Sequence, residues 1–120
     1  MTPRDLASAL AARLDDVVPA GLHVRADGAR VVVRRGDAVI GGSAAPRLLD
    51  GDPGARLVAT AAYATITVVQ EVVAHSLASP WPARTGDRPV PQARLDGRLL
   101  RAWYGPTERP VLALDPVPVR

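Results

Sequence analysis

Leu22 to Arg34, LHVRADGARVVVR, is the stretch that decides the fold. Two short runs of small apolar and β-branched residues flank Asp27-Gly28, the two-residue signature of a type I′ hairpin. That turn sets Ala26 opposite Ala29, Val24 opposite Val31 and Leu22 opposite Val33. All six then share one face, as a half-buried sheet requires. The other face carries His23, Arg25, Arg30, Val32 and Arg34.

On the N-terminal side, Thr2, Pro3 and Asp5 form a helix start: Thr2 as N-cap, Pro3 in the first turn and Asp5 at the third helical position. Leu6, Leu10, Leu14 and Val17 follow at helical spacing, which predicts about four turns presenting one face to a core, closed by Pro19 and Gly21. On the C-terminal side, Asp37 to Ile40 can add a third strand that Gly41-Gly42 is expected to break. Ser43 to Gly51 reads as a loop with room for one short turn of helix.

Asp52 and Pro53 repeat the cap-then-proline pattern and open a second helix, Pro53 to about Leu77. Its apolar positions cover most of its circumference, so two sides need covering, and a partner chain is one candidate for the second. Thr65 to Val73 is rich in β-branched residues, which favour strands. More than twenty residues without a turn signal nonetheless point to helix. Ser79 to Pro91, SPWPARTGDRPVP, is a proline-rich arm in which Trp81 reads as a peg at the core edge.

Asp96-Gly97 marks a second hairpin, between Ala93-Arg94-Leu95 and Arg98 to Tyr104. Val111 to Leu114 returns, and Asp115 to Arg120 is an edge strand or tail. The expectation is a single α+β domain over residues 1–120, in the order helix, hairpin, long helix, hairpin. It has one antiparallel sheet of four to six strands and two main helices on one side.

The 120 residues include no cysteine, which removes disulfides, thiolate metal sites and cysteine nucleophiles. All fifteen basic residues are Arg, with a net charge of +3. The N-terminus does not read as a secretory signal, and Leu57 to Gln70 is too short and too polar for a bilayer span. A cytoplasmic location is expected by elimination.

Chemical motifs are sparse. Ser43, in GGSAA, lacks the G-x-S-x-G order of a nucleophile elbow. Glu71 and His75 stand four apart on one helix face without a visible third metal ligand. GDAVIGG and GDPG match neither phosphate-loop pattern. Asp15 and Asp16 diverge by about 100° on a helix and make no facing pair. No catalytic, cofactor or metal residue is assigned, and any enzyme would centre on His23 or His75.

Two surfaces remain. Arg25, Arg30 and Arg34, joined by Arg94, Arg98 and Arg101 if the hairpins adjoin, form a possible anion or nucleic-acid face. Ala62, Val69, Trp81, Trp103 and Tyr104 are candidate interface residues of a homodimer that also binds a partner protein.

The VPAGLHVRADG hairpin, the long helix followed by SPWP, and the LDGRLLRAWYG and RPVLALDPVPV segments together resemble a family of small actinobacterial α+β proteins. The element order is also similar to secretion-chaperone-like domains, a resemblance that implies dimerisation and the holding of partner polypeptides, with no cofactor.

Overall fold

The computed structural model describes residues 1–50 and 55–119. The element order is α1 (Pro3–Asp15), β1 (Leu22–Asp27), β2 (Arg30–Arg35), β3 (Ala38–Ser43), a 3₁₀ turn (Ala45–Leu49), α2 (Ala55–Leu77), β4 (Pro91–Asp96), β5 (Leu99–Tyr104), β6 (Leu112–Ala113) and β7 (Val117–Pro118). The fold is α+β. Its shortest dimension is 18 Å, the thickness of one helical layer on one sheet layer.

The single sheet expected from the sequence is in fact two antiparallel sheets. One has the order β1-β2-β3, and the other places β4 and β6 beside β5, with β7 also on β5. Two of the sheet edges are poor partners for joining. On β1 the Val24 N–H is taken by the Asp15 carboxylate at 3.0 Å, and β4 opens with Pro91, which has no N–H to give. Helix α2 joins the sheets instead, packing against β2 and β3 on one side and β4 and β5 on the other.

Helix α1 starts as its residues dictate. Thr2 Oγ1 accepts from the Asp5 N–H at 3.1 Å, and Asp5 Oδ2 accepts from the Thr2 N–H at 3.0 Å, a reciprocal capping box. The helix ends at Asp15, earlier than Val17, where the Val17 N–H bonds the Leu14 carbonyl three residues back in a tightened last turn. Leu6, Leu10 and Leu14 are buried against β1 and β2.

The first hairpin keeps its faces but moves its pairs. Val24 opposes Val33 and Ala26 opposes Val31, so the two-residue loop is Gly28-Ala29, not Asp27-Gly28. Gly28 has φ +60° and Ala29 does not share it, which is the pattern of a type II′ turn. A shift of two residues in pairing leaves every side chain on its original side of the sheet. Gly97 does the same in the second hairpin, where Asp96 opposes Leu99.

β3 runs through Gly41-Gly42 instead of stopping there. A Cβ on Gly41 would lie 2.5 Å from Val72 Cγ2, and one on Gly42 would lie 2.7 Å from the Val31 carbonyl oxygen. The glycines are what let α2 and β2 close on this strand. Ile40 is left unpaired by a bulge between Val33 and Arg34.

The proposed start of α2 at Asp52 and Pro53 lies outside the described residues. Across Thr65 to Val73 the backbone is helical throughout. Thr65 and Thr67 return their hydroxyls to the carbonyls four residues back, at 2.8 and 2.7 Å. By length and composition Arg56–Leu77 is also apolar enough to cross a bilayer, with half of its most apolar window buried against the protein. Its C-terminus closes in a Schellman motif: Ser79 N–H to the Ala74 carbonyl, Ala78 N–H to the His75 carbonyl, with Ala78 at φ +51°.

Candidate interaction surfaces

The residues expected at an interface lie inside the chain. Ala62 and Val69 are fully buried in α2, because the two sheets cover both of its apolar sides. Tyr104 is fully buried as well, its hydroxyl donating to the Ile66 carbonyl at 2.7 Å. Burial pushes this phenol well above its ordinary range. Trp81 meets Tyr104 edge-on at 5.4 Å between ring centroids and closes the core edge. None of the four offers a surface to another molecule.

Trp103 alternates with Tyr104 and occupies the opposite face of β5, yet it too is buried. The Arg94 guanidinium lies 5.6 Å from its ring centroid. A shallow groove of about 370 Å³ adjoins it, lined also by Arg101, Thr107, Pro110 and Asp115. The Trp103 indole N–H is buried and has no acceptor among the described residues.

The arginines are divided between two sheets. Arg25, Arg30 and Arg34 belong to the first sheet and Arg94 and Arg101 to the second, and no strand of one pairs with a strand of the other. Arg98 sits in the turn after β4. Several are already engaged. Arg25 meets Asp15 at 2.6 Å, Arg94 and Arg101 converge on Asp96 at 2.9 and 3.3 Å, and Arg34 donates to the Asp37 carbonyl.

His23 lies at the exposed edge of β1, 3.5 Å from Asp15. Partial burial raises the Asp15 carboxyl, but the Val24 N–H and Arg25 outweigh it and hold the group below its ordinary value. His75 lines a groove of about 370 Å³ with Arg35, Ile40, Glu71, Val72 and Ser76. Among the described residues no three His, Asp or Glu side chains converge as metal ligands.

A further concavity lies elsewhere. A groove of about 740 Å³ runs beside α2, lined by Tyr63, by the arm and first residues of β4 from Pro89 to Ala93, and by Gly105, Pro106 and Val111. Three of the exposed large apolar side chains meet in it: Tyr63 at 45%, Val90 at 63% and Val111 at 49% exposure. Its walls are fixed. Buried Gln70 donates to the Pro89 carbonyl at 2.6 Å, Gly105 N–H donates to the Val90 carbonyl at 2.9 Å, and Gln92 donates to the Gly105 carbonyl at 2.7 Å. Residues 63, 90 and 111 share no sequence motif, so only the fold brings them together. The available hint was Val90 held extended between two prolines.

No family model, curated protein or solved structure matches this chain.

Proposed function

We propose that this chain is a non-enzymatic protein-interaction domain that holds an extended, apolar segment of a partner polypeptide in the Tyr63–Val90–Val111 groove. The observation that carries this reading is the convergence of three exposed apolar side chains on a single concave surface with rigid walls. Val90 and the first three residues of edge strand β4, Pro91 to Ala93, line the groove in sequence, which suits an extended occupant better than a compact one. Asp87 and Arg88 at the rim bring opposite charges and favour neither sign of ligand.

Fluorescence anisotropy with labelled extended peptides tests it. Peptides alternating apolar and small residues should bind the wild type and lose at least about tenfold in affinity to Val90→Asp and to Val111→Asp. Both positions are exposed, so the substitutions leave the core alone. Binding that is indifferent to both variants, or no binding by any apolar peptide, would reject the groove as a docking site.

A further inference from the structure

A sheet edge carries unpaired backbone donors and acceptors, and folded proteins blunt such edges with charge, proline or side-chain caps. Three of the four edges here are treated in that way. β1 contains His23, Arg25 and Asp27, and Asp15 caps its Val24 N–H. β4 opens with Pro91 and carries Arg94 and Asp96. The far side of β5 is covered by two strands of two residues each, the second containing Pro118.

β3 has no charge, proline or side-chain cap, and its one interruption is the bulge at Ile40. Its six residues, AVIGGS, include no charge and no proline, and Val39 and Ile40 are 56% and 39% exposed. Val72 of α2 lines one groove with Ile40, and Arg35, Glu71 and His75 line the same groove. Among the described residues neither Arg35 nor Glu71 has an ion-pair partner.

We propose that the β3 edge is a two-fold seam at which a second copy of this chain adds its own β3 antiparallel. An uncharged strand meets itself without like-charge repulsion, and antiparallel strands related by a two-fold axis are self-complementary. The charges of that groove suit the same operator. An unpaired base and an unpaired acid on one patch let Arg35 of each copy face Glu71 of the other. The seam is separate from the peptide groove, and either can stand without the other.

Light scattering over a micromolar concentration series tests it. The wild type should be a dimer, and Val39→Lys and Ile40→Lys should each raise its dissociation constant by at least ~100-fold, because each buries a charge in the seam. Both positions are exposed within the chain, and circular dichroism checks that each variant stays folded. Arg35→Glu should weaken the dimer and Arg35→Glu/Glu71→Arg should restore it. Val90→Asp should leave the mass unchanged, so loss of the groove and loss of the seam read out separately. A wild type that is monomeric throughout, or a dimer that both lysine variants leave intact, overturns the proposal.

Discussion

Tyr104→Phe removes one buried hydroxyl and should change stability in opposite directions at neutral and alkaline pH. Near neutrality the variant loses the 2.7 Å hydrogen bond to the Ile66 carbonyl. That carbonyl lies within α2 and keeps its helical partner, so the loss is about 0.5–1.5 kcal/mol. Above about pH 10, the ordinary value for tyrosine, the unfolded chain releases the phenolic proton while burial makes the folded chain retain it. The folded state then holds more protons than the unfolded one, and stability falls by about 1.4 kcal/mol per pH unit. The contribution is fully present below about pH 10 and is lost as pH climbs toward the raised folded value. The variant has no such slope, so the two stability curves should meet roughly one unit above pH 10. The chain contains no lysine and no cysteine, which leaves tyrosine as the only side-chain type with an ordinary value in this window. Urea unfolding followed by circular dichroism at several pH values, with tyrosinate absorbance as a second probe, gives both numbers. Parallel curves for wild type and variant through the alkaline range would refute the argument.

Ala78→Gly should stabilise the protein by about 1 kcal/mol, because φ +51° at the end of α2 strains any side chain and suits glycine; thermal melts check it, and a destabilised variant would be the wrong sign. Gly42→Ala should cost about 2–3 kcal/mol and Gly41→Ala about 1–2, since the first meets a backbone carbonyl and the second a half-buried valine that can turn. Urea midpoints in the reverse order would contradict the packing of α2 on β3. Asp15→Asn should cost about 0.5–1 kcal/mol near pH 6 through loss of the partly exposed Arg25 pair. Asp15 is held below its ordinary value, so its contribution is present above about pH 4 and lost as pH falls through the lowered one. The gap between wild type and variant should therefore close on acidification.

Local chemistry was legible where one short segment settles it. Thr2, Pro3 and Asp5 specify the start of α1 by themselves, because cap, proline and N3 acid act within one turn. The hairpin faces were legible for a similar reason, since alternation survives a two-residue slip. The slip itself was not, because a glycine can be the second residue of a two-residue loop, as in Asp27-Gly28, or the first, as in Gly28-Ala29. Gly41-Gly42 read as a strand breaker when the cause of both glycines, Val72 and the Val31 carbonyl, comes from other elements. Ala62 and Val69 show the limit most clearly. A helix apolar on two sides announces that it is covered twice, but its sequence does not say whether the second cover is its own chain, and here it is.

The division into two sheets bears on how fast the chain folds. Each strand in the first sheet reaches its neighbour across two residues, as do β4 and β5, so these pairings are local and cost little loop entropy. The second sheet joins the rest of the fold through distant contacts: β4 and β5 pack on α2, and Arg13 of α1 donates to the Asp115 and Pro116 carbonyls just before β7. Its buried tie to α2, Tyr104 to Ile66, joins positions 38 apart in the chain, and the Arg13 bonds join positions more than 100 apart. Contacts of that separation dominate contact order and come late. The slow step of folding is thus expected to be the docking of the second sheet onto α2 and α1, after the hairpins have closed.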